Sequence, residues 1–362
     1  MSPEPSATST PTPILLYQKG DIRRTLAGGG PRRQSMAGFD EKFTDIIDYI
    51  LRITHEIWEE KGFGRIYDYY GYNCPVHTTE GTIYGREAVM AGTVATLAAF
   101  PDRRLYGDEV IWAGDDVNGF YTSHRLTHMG RNTGYSSFGP PTGRQVRYTA
   151  IADCVVRENV IVEEWLARDN VMLVRQLGFE PLALAREMAA QEAAAGIRFE
   201  HPGEVERVLG QGTPVELPPP PTEFEIEDFM RRILHQIWNW RLLNVVDTAF
   251  APSYSGQFPS GRSLYGRGDY QAFVLAMLAA FPDAALTVDH FCALADGPDA
   301  YRTATRWTLQ GSHLGPGVYG APTGKRIRLM GMSHHLLHAG RIVREWTVFD
   351  EFALMKRLFA PD

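Results

Sequence analysis

The sequence predicts an α+β protein built from two tandem cone-shaped domains, each with N-terminal helices packed on a curved antiparallel sheet. In both halves of the 362-residue chain, apolar residues recur first at helical spacing and then in β-type runs divided by turn residues. The same short motifs occur in both halves at a nearly constant separation. Four consecutive prolines, residues 218–221, favour a stiff polyproline II spacer between the halves.

The duplication rests on motifs that align at an offset of 180 or 181 residues. At 180, His55 with Trp58 corresponds to His235 with Trp238. The motifs at 181 are Tyr84-Gly85-Arg86 with Tyr265-Gly266-Arg267, Phe100-Pro101-Asp102 with Phe281-Pro282-Asp283, and Pro141-Thr142-Gly143 with Pro322-Thr323-Gly324. One domain of about 140 residues is therefore present twice.

The chain divides into four parts: an N-terminal arm (1–38), a first domain (39–180), an Ala-rich helix with a Pro-rich linker (181–223), and a second domain (224–362). The arm is rich in Ser, Thr, Pro and Gly. Such a segment buries few apolar side chains, so we expect it to be disordered or loosely packed.

The first domain is predicted to begin with a helix over 39–58, where apolar residues recur at helical spacing until glycines end the pattern. A short helix through Tyr67 and Tyr70 and a strand-like piece at 74–79 follow. A helix over 85–99 ends at a Phe-Pro-Asp motif, because proline cannot continue it. The later β-type runs predict strands at 105–112, 119–129, 144–156 and 160–169.

The second domain repeats this order after the Ala-rich helix, which is predicted over 182–195. Helical spacing recurs around 229–237 and over 267–280. The predicted strands are 285–293, 300–310, 326–337 and 341–349.

Composition excludes several classes of protein. The net charge of −7 and the absence of any basic run longer than a pair argue against a nucleic-acid or anionic-membrane partner. The cysteines, Cys74, Cys154 and Cys292, form no CxxC pair, which fits a reducing compartment and excludes a disulfide scaffold. No apolar run approaches about 18 residues and the N-terminus lacks the apolar core of a secretory signal, so we expect a cytoplasmic protein.

A Glu-Trp pair on an apolar run, followed by an Asp, occurs in both halves. The copies are Glu164-Trp165 with Asp169, and Glu345-Trp346 with Asp350. Because side chains alternate along a strand, the Trp and the Asp four residues later project from the same face. An acid beside an indole at a strand end can serve as a general acid/base. The alternative is a polar strand end above a core tryptophan.

This order of elements, with the turn Gly311-Ser312-His313-Leu314-Gly315 and the Glu-Trp…Asp pattern, resembles the SnoaL-like polyketide (ester) cyclases of the nuclear-transport-factor-2-like superfamily. The likeness covers roughly residues 39–180 and 224–360. That superfamily includes cyclases, isomerases, dehydratases, epoxide hydrolases, lyases and non-catalytic binding modules, so the resemblance implies the fold but not one reaction. In SnoaL-like cyclases an Asp near the end of the last strand is the general acid/base, and Asp169 and Asp350 match it.

The resemblance also indicates that the two pockets have diverged. The histidine of the family's Gly-Thr-His-x-Gly turn is matched by His313 in the second half but by Asn132 in the first. The family commonly has a histidine in its early strand. The residue at that position is His77 in the first half and Phe258 in the second.

Further candidates are polar and aromatic residues that this fold places around the cone. Buried polar groups are costly unless they are hydrogen-bonded or used, and burial raises the pKa of an acid toward neutrality. The predicted catalytic residues are Asp169, His124, His77 and Asp350. The predicted substrate-binding residues are Tyr70, His128, Asp153, Trp165, His313, His335 and Trp346. His334 and His335 are neighbours on a predicted strand, so only one of the two can face the pocket.

No metal or cofactor is expected. The pairs His124/His128 and His334/His338 have ligand-like spacing but fall in predicted strands, where they lie roughly 13 Å apart. Two bonds of about 2.1 Å to one zinc ion cannot bridge that distance. The glycines at 315, 317 and 320 lie between strands, so they do not form a dinucleotide-binding turn.

The sequence therefore favours a cofactor-independent acid/base enzyme, acting as a cyclase, isomerase, dehydratase or C–C lyase on a hydrophobic oxygenated small molecule, aromatic or polyketide-like. Asp169 would move the proton while His124, His77 or Tyr70 polarises an oxygen. The alternatives are an Asp-activated-water hydrolase of epoxides or esters and a non-catalytic binder. The two domains are expected to pack sheet to sheet as an internal pseudo-dimer, with a further homodimer left open. Convergence of Asp169, His124 and His77 in one closed pocket would favour the enzyme, whereas their dispersal over the surface would exclude it for the first domain.

Overall fold

The computed structural model describes residues 15–18, 23, 26–27, 30–197 and 217–361. The helices of the first domain are α1 (Ile46–Thr54, continued by a π-helical turn His55–Glu59), α2 (Ile66–Tyr69), α3 (Arg86–Ala99) and α4 (Asn170–Leu177). Its strands are β1 (Tyr17–Gln18), β2 (Pro75–Thr78), β3 (Gly81–Tyr84), β4 (Arg104–Asp115), β5 (Gly119–Arg131), β6 (Gln145–Arg157) and β7 (Val160–Arg168).

Among the described residues, the second domain repeats these elements except β1. Its helices, preceded by α5 (Pro181–Ala194), are α6 (Ile226–Trp238), α7 (Val246–Ala249), α8 (Gly266–Ala280) and α9 (Glu351–Phe359). Its strands are β8 (Phe250–Phe258), β9 (Arg262–Tyr265), β10 (Ala285–Ala295), β11 (Ala300–Ser312), β12 (Arg326–His338) and β13 (Arg341–Phe349).

Each domain has one mixed sheet, with strand order β1-β4-β5-β6-β7-β2-β3 in the first and β10-β11-β12-β13-β8-β9 in the second. The consecutive strands β4 to β7, and likewise β10 to β13, are antiparallel, as predicted, and β2 or β8 lies parallel to the last strand of its set. The amphipathic helix α1, capped by the Asp45 side chain, buries its apolar face against the first sheet. The structure thus confirms the α+β fold and its duplication.

The change of offset from 180 to 181 lies in the short hairpin of each domain. In the first domain Thr78 pairs with Gly81, whereas in the second Phe258 pairs with Arg262, so the second turn is one residue longer. The pairing of His77 with Trp165 is matched by that of Gln257 with Trp346. The structural counterpart of His77 is therefore Gln257, not Phe258.

The two sheets pack against each other through a pseudo-symmetric pair of contacts. The Arg306 guanidinium lies 3.5 Å from the ring centre of Trp165, and Arg125 lies 4.4 Å from that of Trp346. Between them, His334 of the second domain is hydrogen-bonded to Ser123 and Glu109 of the first. These contacts lie between the sheets, where the sequence predicted the domains to meet.

Several local expectations change. The described part of the N-terminal arm is packed, because Tyr17 pairs with Val110, and Trp112 donates a hydrogen bond to the Leu15 carbonyl. The first helix begins at Ile46 rather than near residue 39. Strands β3, β8 and β9 were not predicted, because their runs are short or interrupted by Gly and Pro. Residues 198–216, in the predicted linker, lie outside the described residues.

Candidate active site

A cavity of about 230 Å³ lies between helices α1 and α3 and the inner face of the first sheet. Most of its wall is apolar, from residues such as Ile57, Val76, Leu126 and Leu166. A dry cavity of roughly 150 Å³ can hold benzene, so this one suits a ligand of one or two rings. The ionisable groups of the wall form two sets, with His124 between them.

Glu164 and Tyr70 form the first set. The Tyr70 hydroxyl donates to Oε2 of Glu164 at 2.9 Å, and the Glu164 side chain is buried. Burial raises the pKa of Glu164, and the Tyr70 hydrogen bond and the charge of Arg168 oppose that rise only in part. Among the described residues, none donates a hydrogen bond to Oε1. This oxygen is available to a ligand.

His124 lines the middle of the cavity from strand β5. Burial lowers its pKa to about 3, with the neighbouring His334 and Arg125 acting in the same direction, so the ring is neutral. Its Nε2 is buried without a partner in the described part of the chain. The ring fits there because Gly107 on β4 has no side chain; a Cβ would lie 2.9 Å from Nε2.

Arg103 and His128 belong to the second set. Nη2 of Arg103 contacts Nδ1 of His128, which must accept, and this leaves the imidazole proton on Nε2. The guanidinium also lies over the Trp58 ring, 4.3 Å from its centre. Nε and Nη1 of Arg103 and Nε2 of His128 are buried with no acceptor among the residues that the structure describes.

Arg168 completes the second set from the end of strand β7. Within the described ranges its side chain makes no hydrogen bond or ion pair. Because Glu164 and Arg168 are four residues apart on one strand, their Cα atoms lie roughly 13 Å apart. The cavity therefore has an acidic end at Glu164 and a basic end at Arg103, His128 and Arg168.

In the second domain the equivalent space is nearly filled. The remaining cavity is about 30 Å³. The indole of Trp307 occupies the position of Leu126, and it fits because Gly331 replaces Ala150; a Cβ on Gly331 would lie 2.1 Å from the ring. The large side chain of Trp307 is thus accommodated by the absence of a side chain at Gly331 on the neighbouring strand.

The second domain keeps the acid and its tyrosine partner but uses them differently. Tyr254 donates to Oε2 of Glu345 at 2.9 Å, and Thr347 donates to Oε1 at 2.6 Å. Thr347 bonds in turn to Ser333, which accepts from the Trp307 indole. Both oxygens of Glu345 are therefore occupied, whereas Leu166 stands at the position of Thr347 in the first domain.

The basic end is absent from the second domain. At the structurally equivalent positions, Arg103, His124, His128 and Arg168 are replaced by Ala284, Thr305, Leu309 and Phe349. Among the described residues, the first domain therefore combines open space with acidic and basic groups, and the second does not.

Asp169 lies outside this cavity. Its carboxylate caps helix α4 by accepting from the Met172 N–H, and accepts from the Ser260 N–H of the second domain. It borders a separate cleft of about 270 Å³ between the domains. Trp165 and Asp169 do share one side, as their spacing predicts, but that side is turned toward the other domain.

The other predicted residues of the first domain separate by strand face. Tyr70, His124 and His128 line the cavity. His77 lies on the opposite face, stacked on Trp165 and hydrogen-bonded to Glu163 at 2.8 Å. Asp153 is also on that face, where the Tyr121 hydroxyl donates to it. Asp169, His124 and His77 therefore do not converge in one pocket, although Asp169 and His124 are both buried and not spread over the surface.

In the second domain, Asp350 caps helix α9 and accepts from Asn170 of the first domain. Trp346 faces Arg125 at the domain interface. His335 is buried against Thr303 and Glu345 but does not line the remaining cavity.

His313 fixes the Pro-Thr-Gly loop by bonding to Thr323, and Asn132 holds Thr142 in the same way. The turn that resembles the family's Gly-Thr-His-x-Gly motif therefore stabilises the Pro-Thr-Gly loop in both domains. Its glycines permit close packing, since a Cβ on Gly134 or Gly315 would lie 2.0 or 1.7 Å from a helix carbonyl.

Sequence reasoning missed Glu164, Arg103 and Arg168. Glu164 is the Glu of the repeated Glu-Trp pair, whereas the spacing argument selected the Trp and the Asp, which lie on the other face. Arg103 follows the Phe-Pro-Asp motif, and its replacement by Ala284 was a detectable difference between the copies. Among the described residues, no cluster of His, Cys, Asp and Glu has metal-site geometry, and no helix is long and apolar enough to span a membrane.

Comparison with known proteins gives one family. The model of the SnoaL-like polyketide cyclase family matches residues 49–177 and 228–358. No curated protein matches.

Similar solved structures each correspond to one domain. A SnoaL-like polyketide cyclase from Agrobacterium tumefaciens is 18% identical and matches 38% of this chain and 100% of its own, with a TM-score of 0.32. TsrD from Streptomyces laurentii is 21% identical and matches 38% of this chain and 100% of its own, with a TM-score of 0.32.

Proposed function

The chain belongs to the SnoaL-like polyketide cyclase family, and we propose that its first domain is a cofactor-independent acid/base enzyme of the cyclase type. Its substrate would be a hydrophobic oxygenated molecule, aromatic or polyketide-like. Glu164, rather than Asp169, would transfer the proton. The observation that carries this proposal is a buried carboxyl group with one oxygen held by Tyr70 and the other open to a 230 Å³ cavity.

The chemistry follows from the protonation states. Because burial raises the pKa of Glu164, its carboxylate is a stronger base than an exposed one, and its acid form can return the proton. In a cyclisation, Glu164 would remove a proton from a carbon beside a carbonyl. The enolate carbon would attack a second carbonyl, and Glu164 would give the proton to the resulting alkoxide, so no atom is gained or lost.

His124 would act as a neutral hydrogen-bonding group in this scheme. Its pKa of about 3 keeps it uncharged at neutral pH, so it can donate to a developing enolate oxygen without titrating. Isomerisation and dehydration use the same proton transfers. The assignment is therefore to a class of proton-transfer reactions.

The test is turnover of a panel of oxygenated aromatic and polyketide compounds, followed by mass spectrometry. Glu164→Gln is expected to lower the rate about 10²- to 10⁴-fold, the range for a general acid/base. The matched control is Glu345→Gln, which changes the equivalent carboxyl in the filled cavity and should leave the rate within about twofold.

Asp169→Asn separates this proposal from the sequence-based one. If Asp169 only links the domains, the variant unfolds at a lower temperature but keeps its activity. Loss of turnover in folded Asp169→Asn with full activity in Glu164→Gln would contradict the proposal. Bound compounds that no variant alters would favour a non-catalytic binder.

A further inference from the structure

We propose that the substrate of this cavity carries a carboxylate, held at the basic end by Arg103 and Arg168. This inference rests on the proposed function, because it assigns the substrate class for the same site. At one end of a largely apolar cavity lie an imidazole donor and two guanidinium groups that form no ion pair among the described residues.

The first argument is the cost of burying Arg103. Its side chain is only 3% exposed, and none of the described acidic residues forms an ion pair with it. Its partners are the His128 ring nitrogen and the face of Trp58. A buried charge without a counter-charge is expensive, and a bound carboxylate would supply both the charge and the missing acceptors.

The second argument is the orientation of His128. Because Nδ1 faces an Arg103 donor, Nε2 carries the hydrogen, and this nitrogen has no acceptor within the described ranges. The ring is stacked on Tyr148 with its centre 4.8 Å away, which fixes its plane. A carboxylate oxygen would satisfy this donor together with Arg103.

The third argument is Arg168. Its charge acts on Glu164 and Asp350 and lowers the pKa of each, but Arg168 forms no ion pair with either carboxyl group. Unlike Arg306 and Arg125, which stack on tryptophans at the domain interface, it has no described aromatic partner. An arginine that structural packing leaves unpaired is available to a ligand.

The position of the basic end also defines the shape of the substrate. The carboxylate would bind beside Arg168, whose Cα lies roughly 13 Å along β7 from that of Glu164, with the apolar body against Leu126, Ala152 and Leu166. The reacting carbon would then lie far from the charged group. Binding energy at the carboxylate would orient that carbon toward Oε1 of Glu164.

The experiment compares two probes of nearly equal shape, cinnamate and cinnamamide, by isothermal titration calorimetry at pH 7.5. The wild-type protein is expected to bind cinnamate at least about tenfold more tightly than cinnamamide. Arg168→Gln should remove most of that preference, and Arg168→Lys should keep part of it. The matched control is Arg104→Gln. Arg104 follows Arg103 in the sequence, but its side chain is exposed and lies outside the cavity.

Equal affinity for the two probes, no binding of cinnamate, or an equal loss in Arg104→Gln would overturn the inference. Glu164→Gln distinguishes it from the proposed function, since it should lose turnover but keep the preference for cinnamate. If Glu164→Gln stays active while the preference stands, only the proposed function fails. If Glu164→Gln is inactive and the preference is absent, only the carboxylate assignment fails.

Discussion

The two domains share one backbone plan and differ in what occupies the space between helices and sheet. The first keeps a cavity of about 230 Å³ with a basic end, and the second keeps about 30 Å³ around the indole of Trp307. Both retain a buried Glu with a Tyr partner, at Glu164 with Tyr70 and at Glu345 with Tyr254. The acid alone therefore does not define a site; open space and unpaired donors around it do.

The comparison also indicates how the copies divide their tasks. The second domain has exchanged a cavity for packing, and it supplies Arg306 and Ser260 to the surface of the first. Asp169 and Asp350, the acids that the sequence marked most strongly, link the domains at equivalent positions. Duplication thus gives one open half and one filled half that supports it.

Filling the first cavity as the second is filled should give the largest effect. In the double variant Leu126→Trp with Ala150→Gly, the indole would occupy the substrate space, and turnover should fall at least about 10³-fold. The variant should remain folded, because the second domain tolerates the same pair. Ala150→Gly alone is the control, and activity in the double variant would show that the chemistry lies elsewhere.

Emptying the second cavity should cost more stability than enlarging the first. Trp307→Ala removes a buried indole and its hydrogen bond to Ser333, and should lower the free energy of unfolding by about 3–5 kcal/mol. Leu126→Ala should cost only about 2–3 kcal/mol, because Leu126 already borders open space. Urea denaturation measures both, and a larger loss for Leu126→Ala would contradict the comparison.

The filled cavity should also leave a signature in the pH dependence of stability. Burial raises the pKa of Glu345 to about 7, so between roughly pH 4.5 and 7 the folded state binds a proton that the unfolded state has lost. The free energy of unfolding therefore decreases as pH rises through that window, by up to roughly 3 kcal/mol from this group.

Glu345→Gln removes this titrating group, so its unfolding free energy should change less between pH 5 and pH 7 than that of the wild type. The exposed Glu187→Gln on helix α5 is the control and should keep the wild-type slope. Thermal unfolding at a series of pH values measures the difference. An unchanged slope in Glu345→Gln would place the titrating group elsewhere.

The smallest effect concerns the glycine that admits Trp307. In Gly331→Ala the new Cβ would overlap the indole, and the strain should cost about 1–3 kcal/mol. The reciprocal change, Ala150→Gly, creates no overlap and should cost about 1 kcal/mol or less. Combining Gly331→Ala with Trp307→Leu should relieve the strain, and a failure to do so would refute the proposed pairing.

Much of the fold was predictable because its signals are local. Helical and β-type periodicities, proline and glycine boundaries and the repeated motifs depend only on neighbouring residues, and they gave the order of the long strands in both domains. Short strands such as β3 and β9 were missed, because four residues carry too little periodicity to detect.

The candidate site was only half predictable. Alternation along β7 correctly grouped Trp165 with Asp169 and, by the same rule, Glu164 with Arg168. It could not say which group faces the cavity, because both faces of this strand are covered. Helices α1 and α3 cover one face and the second domain covers the other, so neither face is marked by exposure to water.

The sequence by itself determined that one α+β domain of the SnoaL-like type is present twice, and that the copies differ in their histidines. The tertiary structure decided which carboxyl group meets the open space. It also decided that Trp307 closes the second cavity, because an indole needs a missing Cβ on a neighbouring strand, at Gly331, that is distant in the chain. Periodicity is a local property, whereas a cavity is defined by residues that only folding brings together.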